Sequence, residues 1–301
     1  MKRLVSFLLF LVILHLHCFA QINANRVMLM GRNALYYEDY VLAIQRFNSV
    51  ISAKPYLAEP YFYRGLAKFY LEDYAGAEAD CSLALDRRPY NAQYYTLRGL
   101  CRVNMERYDL AVEDYHAALH QNPMERNNWH NMVLCYMELE QYERADSALD
   151  SMMALWPRES VQCTMKAQVS LALKDTLLAE EWVDSALVLD NYDGGAWSMK
   201  AAMLAKREEY KDAEMALDRA IMQKPRIPVL YINRALARFQ QNNIRGAMSD
   251  YDQAIEIDAG NYVAHYNRGL LRAQVGDDNR AIDDFNYVLQ LEPDNMIALY
   301  N

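Results

Sequence analysis

Alanine returns every 34 residues without a slip, at Ala43, Ala77, Ala111, Ala145, Ala179, Ala213, Ala247 and Ala281. A fixed period of this length means copies of one supersecondary unit, each finishing its core only against its neighbours. With the alanine at position 20, the eight repeats run over 24–57, 58–91, 92–125, 126–159, 160–193, 194–227, 228–261 and 262–295. Position 8 is small in seven of them (Gly31, Gly65, Gly99, Ala167, Ala201, Ala235 and Gly269), with Val133 the exception. Position 24 is bulky or apolar, as in Phe47, Tyr115, Leu217 and Phe285. Position 32 is proline six times: Pro55, Pro89, Pro123, Pro157, Pro225 and Pro293.

This spacing predicts two helices per repeat. Positions 4, 8 and 11 share one face of a first helix, and 20, 24 and 27 share one face of a second. Turn and N-cap residue types such as Glu38-Asp39, Glu72-Asp73 and Asn242-Asn243 fall between them. The proline ends the second helix, because its ring blocks the hydrogen-bond ladder. Glycine within a helix costs about 1 kcal/mol relative to alanine. Its recurrence at position 8 predicts a close approach of the two helix backbones, with the alanine at position 20 opposite.

With Tyr61, Tyr95, Trp129, Trp197 and Tyr231 at position 4, and Tyr40, Tyr74, Tyr108, Tyr142 and Tyr210 at position 17, the chain resembles the tetratricopeptide repeat family from Ala24 onward. The resemblance implies an all-α fold, a right-handed superhelical solenoid of antiparallel helix pairs. Departures are Val27, Cys163 and His265 at position 4, Thr176, Ile244 and Asp278 at 17, and Asn191 and Ala259 at 32.

The first residues are of another kind. Met1-Lys2-Arg3 is basic, Leu4 to Leu14 is apolar, and Cys18-Phe19-Ala20 has small residues at the cleavage positions. Residues 1–20 read as a secretory signal peptide cut after Ala20. His15-Leu16-His17 argues against a lipid attached at Cys18. The apolar run is short for a membrane span. The formal charge is −9, and two more negative once Lys2 and Arg3 are removed. Such a balance opposes a nucleic-acid partner, which calls for clustered Lys and Arg. Cys81, Cys101, Cys135 and Cys163 fall at packing positions and read as small buried hydrophobes. A Cys81–Cys101 disulfide is the alternative, because a second helix and the next first helix should touch and an exported chain meets oxidising conditions.

Arginine at position 7 occurs in repeats two, three, seven and eight (Arg64, Arg98, Arg234, Arg268), and aspartate at position 23 occurs in the same four (Asp80, Asp114, Asp250, Asp284). Matched presence points to ion pairs, either within a repeat or across a junction such as Asp80 with Arg98. Repeats four to six have diverged. Asn191-Tyr192-Asp193-Gly194-Gly195 reads as a connecting turn, with a hinge as the alternative. Residues 296–301 read as the start of a ninth, truncated repeat, which suggests a longer protein.

No catalytic constellation emerges: there is no phosphate loop, G-x-S-x-G, H-E-x-x-H or paired C-x-x-C. His116 and His120, four apart, read as a solvated helix surface; no metal and no cofactor is expected. The family resemblance implies a groove lined by the first helices. The residues it places there as partner contacts are Arg32, Tyr36, Phe62, Phe69, Tyr70, Asn104, His130 and Glu138. Leu66, Leu100, Gln168, Gln240, Tyr266 and Gln274 also fall at groove positions, and Leu66, Leu100 and Phe69 read equally as core between repeats. The family variety that grips carboxylates with Lys at 5 and Asn at 9 is unsupported, since neither occurs here. The expectation is a non-enzymatic protein–protein interaction scaffold of the bacterial envelope. It would be exported to the periplasm, peripheral to the outer membrane, and bind an extended peptide or partner subunit. The alternative is a substrate-recruiting array of a longer protein with a catalytic or signalling domain beyond residue 301. Self-association through the edge formed by Met296, Ile297 and Leu299 is a further expectation.

Overall fold

The computed structural model describes residues 23–291. The signal-peptide reading of 1–20 and the ninth-repeat reading of 296–301 lie outside the described residues. Among the described residues the chain forms sixteen α-helices and no strand. In order they are α1 (Ala24–Tyr36), α2 (Tyr40–Ala53), α3 (Glu59–Tyr70), α4 (Tyr74–Arg87), α5 (Ala92–Asn104), α6 (Tyr108–Gln121), α7 (Arg126–Glu138) and α8 (Tyr142–Leu155). They continue with α9 (Ser160–Ala172), α10 (Thr176–Leu189), α11 (Gly194–Lys206), α12 (Tyr210–Gln223), α13 (Pro228–Gln240), α14 (Ile244–Ile257), α15 (Tyr262–Gln274) and α16 (Asp278–Leu291). Every second helix starts at position 17, including those where Thr176, Ile244 or Asp278 replaces tyrosine.

The chain divides into two compact units, the boundary falling between Ala148 and Leu149 inside α8. In the first unit, α1/α2, α3/α4 and α5/α6 are helix pairs joined by three-residue turns, which makes their members antiparallel. Each second helix also packs on the next first helix, α2 on α3, α4 on α5 and α6 on α7. The second unit repeats this with α9/α10, α11/α12, α13/α14 and α15/α16. In both units successive first helices touch: α1 with α3, α3 with α5, α9 with α11 and α11 with α13.

The turn inside each repeat has one geometry. Position 15 adopts the left-handed conformation in all eight copies, from Glu38 at φ 60° to Gly276 at φ 80°. That residue lets the chain reverse, and the next N–H bonds back to position 11, as from Asp39 to the Ala34 carbonyl at 2.8 Å and from Asp277 to that of Arg272 at 2.9 Å. This is a Schellman closure of the first helix. Position 16 then caps the second helix: Asp39, Asp73, Asp175 and Asn243 accept from backbone N–H groups three residues on. Only repeat eight has glycine at position 15. The others are five glutamates, a lysine and an asparagine; the glutamate charges sit beside the positive end of the following helix.

The turn between repeats is tied from position 4. Tyr61 and Tyr231 donate from their hydroxyls, and Trp129 and Trp197 from their indole N–H groups, to the carbonyl at position 32 of the preceding repeat. In repeat eight the Nε2 of His265 lies 3.1 Å from the Ala259 carbonyl, so this departure keeps the contact. The residues before positions 191 and 259, Asp190 and Asp258, leave the helix at φ −145° and −138°, as Lys54 does before Pro55 at φ −140°. The 191–195 segment is a fastened turn. Asp193 accepts from Gly195 N and Ala196 N, and from the Thr164 hydroxyl at 2.9 Å.

All eight position-20 alanines are buried. What the position-8 glycines face differs from the sequence expectation at three of the four. A Cβ built on Gly31, Gly99 or Gly269 would meet the ring at position 24, with Phe47 at 2.5 Å, Tyr115 at 2.9 Å and Phe285 at 2.8 Å. Only at Gly65, opposite the small Cys81, does the position-20 backbone come closest, with the Ala77 carbonyl at 3.2 Å. Glycine at position 8 therefore makes room chiefly for a ring.

Candidate functional site

The matched arginines and aspartates pair within a repeat. The guanidinium of Arg64 forks onto Asp80, Arg98 onto Asp114, Arg234 onto Asp250 and Arg268 onto Asp284, joining the two helices of each pair. The junction pairing of Asp80 with Arg98 is not made. The same arginines nevertheless span the junction by another atom. Their Nη1 groups donate to position 25 of the preceding repeat: Asn48, Ser82, Asp218 and Asp252. A second cation, at position 11, completes each centre: Lys68, Arg102, Arg238 and Arg272. The four aspartates are buried, so each carboxylate is stripped of water and held by two cations. In repeats five and six lysine stands at position 7, and Lys166 and Lys200 bind Asp150 at 2.6 Å and Asp184 at 2.9 Å. These centres are structural ties.

Of the residues expected to meet a partner, all in the first unit, several are committed to packing. Phe62 is half-buried against Tyr94, ring centres 4.9 Å apart, and Phe69 packs edge-on against Tyr74 at 5.4 Å. Tyr70 stacks on Tyr40 at 5.2 Å with its other side exposed, and Tyr36 is 81% exposed. Arg32 is exposed and lies over the Tyr63 ring, at one side of a ≈ 380 Å³ hollow shared with Arg87, Arg88 and Glu59. The Asn104 amide donates back to the Leu100 carbonyl at 2.9 Å. His130 is half-buried, and burial together with Arg126 lowers its pKa. Glu138 is exposed. The tyrosine and phenylalanine rings form a chain from Tyr40 through Tyr70 and Phe69 to Tyr74, whereas no shared contact links Asn104, His130 and Glu138 to it. The other histidine of interest, His116, meets the Tyr136 hydroxyl at 2.7 Å.

The open apolar surface lies in the second unit. Three hollows of ≈ 410, 360 and 320 Å³ follow one another along the first helices α9, α11, α13 and α15. Ala202 lines both the first and the second, and Leu236 both the second and the third, so they form one row. Leu171, Met199 and Met203 line one end, and Phe239, Leu270 and Leu271 the other. Asn233, Gln240, Asn267 and Gln274 place side-chain amides along it. Charge is confined to one end, where Glu180 is held by Arg207 and Lys200 and Lys206 is exposed. Gln240 and Gln274 are groove positions in the sequence reading. The apolar residues around them escaped it, because leucine and methionine at these positions also read as core.

Stacked helix pairs with a row of mainly apolar hollows along their first helices define a helical-repeat array. Residues 229–261, the seventh repeat, match the family model for the tetratricopeptide repeat. The matched repeat recurs at the same 34-residue period along the sequence, and the fold is that of tetratricopeptide repeat solenoids. A tetratricopeptide repeat protein from Parabacteroides merdae superposes with a TM-score of 0.63 at 19% identity, over 81% of this chain and 96% of that one. A chain of the APC/C hetero-tetramer Cut9-Hcn1 superposes with a TM-score of 0.64 at 14% identity, over 87% of this chain; the match spans 51% of that chain. Among curated proteins nothing matches.

Proposed function

We propose that this chain is a non-enzymatic scaffold that holds an extended, largely uncharged segment of a partner protein along α9, α11, α13 and α15. The row of joined hollows carries the reading. Its leucines, methionines and Phe239 offer apolar area, whose burial is worth about 25 cal/mol per Å². Its four amides offer donors and acceptors to a peptide backbone, the usual division of labour in a binding groove. The near absence of charge disfavours an acidic or basic ligand. The exposed Tyr36 and Tyr70 in the first unit are the alternative contact surface. The basic start and apolar run of residues 1–20 support export, which would make the scaffold a periplasmic one, peripheral to the outer membrane.

A peptide-display selection against the chain tests the groove, with the Leu236→Glu variant as counter-target. Leu236 is 42% exposed, so the change leaves the core alone. The selected peptides should be apolar, poor in charge and lost on Leu236→Glu. Peptides retained by Leu236→Glu but lost on Tyr36→Ala with Tyr70→Ala would move the site to the first unit. N-terminal sequencing of the exported product should begin at Gln21.

A further inference from the structure

Two thiols in the first unit are placed for chemistry that the docking role does not use. Cys81 lies on α4 at position 24, where the other seven repeats carry a ring or a branched aliphatic side chain. Cys101 lies on α5, the next first helix, at position 10. Both belong to one small core cluster with Ala77 and Leu97, and both are wholly buried. They meet in this cluster where the two helices pack on one another. They stand as free thiols. The Cβ position of Gly65 is 3.5 Å from the Cys81 sulfur.

We propose that Cys81 and Cys101 are a disulfide site that closes only while the chain is still folding, fastening repeat two to repeat three. The oxidant is a disulfide, either a small-molecule one or that of a thiol oxidase. The Cys81 thiolate attacks one sulfur of it and expels a thiolate; the Cys101 thiolate then attacks the Cys81 sulfur of the mixed disulfide and expels the second. Two protein thiols are oxidised, one disulfide is reduced to two thiols, and the two protons pass to the departing sulfurs. In the unfolded chain both sulfurs are accessible and ordinary. In the folded chain the contact with Cys101 and burial push the Cys81 thiol far up, so the nucleophile is scarce and the oxidant has no access. The two forms, bridged and unbridged, therefore do not interconvert without unfolding. Cys135 and Cys163, on α7 and α9, are also buried. They remain thiols.

The test refolds the reduced, denatured chain in a glutathione redox buffer and, in parallel, exposes the already folded, reduced chain to the same buffer. Both are then denatured, alkylated and digested with trypsin. Refolding should yield a linked pair of peptides, 69–87 with 99–102, and a chain lighter by two hydrogens that unfolds at higher denaturant. The folded, reduced chain should keep both thiols alkylatable over the same time. Alkylation of both Cys81 and Cys101 after oxidative refolding would overturn the site. Equal oxidation of the folded chain would overturn its dependence on folding.

Discussion

Arg98 on α5 grips Asp114 on α6 with its Nε and Nη2 groups, while its Nη1 reaches the Ser82 hydroxyl on α4 at 3.2 Å. One guanidinium thus joins the two helices of its own repeat and the repeat before it. Asp114 is the anion that both Arg98 and Arg102 require, and its side chain is 2% exposed. Asp114→Ala should cost about 3–5 kcal/mol, because it leaves two partly buried cations without their partner. Equilibrium urea unfolding measures it. A double-mutant cycle should give Arg98 and Asp114 a coupling of about 1–3 kcal/mol, and Arg98 and Asp80 close to none. Equal coupling to both aspartates would mean that the fork is shared across the junction.

The fit of glycine to ring makes a prediction with a definite sign. Helix propensity alone would make Gly99→Ala stabilising by about 1 kcal/mol. The Tyr115 ring stands 2.9 Å from the new carbon. Overpacking should therefore win, for a net loss of about 1–3 kcal/mol. In a Tyr115→Leu background the same change should turn neutral or favourable. A Gly99→Ala chain that melts above wild type would refute the ring-in-cleft account. Ala111→Leu, at a fully buried position 20, should be destabilising by a similar amount.

Seven repeats place a residue with a Cβ in the left-handed conformation at position 15. Glu72, at φ 62°, is one. Glu72→Gly should stabilise by about 0.5–1 kcal/mol, the backbone relief exceeding the small loss of charge beside the α4 N-terminus. Thermal melts of Glu72→Gly and Glu72→Ala separate the two contributions, since alanine removes the charge and keeps the strain. A Glu72→Gly midpoint below wild type would show that the charge matters more.

Acid should weaken the charge network at Glu78. Burial alone would raise the pKa of Glu78, but Arg102 and Arg107 outweigh it and hold Glu78 below the ordinary glutamate range. A depressed pKa stabilises the fold above the unfolded value of about 4.3, and that contribution is lost as pH falls through the folded value. Wild type should therefore exceed Glu78→Gln in stability at neutral pH, and the gap should close below pH ~4. Urea midpoints across that range follow it. A gap that persists at low pH would place its origin in packing.

Most of the fold was legible because a 34-residue period exposes the same position eight times. Helix starts at position 17 followed from it even where Thr176, Ile244 and Asp278 break the tyrosine pattern, since the turn before them fixes the register. Asn191 and Ala259 change nothing where proline is missing, because the helix end is set by backbone geometry that Asp190 and Asp258 also adopt. The pairing of Arg98 with Asp114 was legible as co-occurrence, although its choice of aspartate needed coordinates. The second cation was legible and overlooked: Lys68, Arg102, Arg238 and Arg272 occupy position 11 in those same four repeats. The left-handed glutamates gave no signal by residue type, since glutamate is not favoured there. The row of hollows was hidden for a different reason. Each hollow arises between first helices more than twenty residues apart in sequence, and Met199 or Leu236 by itself reads as core.

The acceptor at position 25 differs from seam to seam, being Asn48, Ser82, Asp218 or Asp252, yet each one receives the same guanidinium nitrogen. A seam this tolerant does not depend on which copy lies upstream. Gene slippage that gains or drops a whole copy among these modules leaves every arginine with something to hold, so the length of such an array is open to evolutionary change without redesign of its joints.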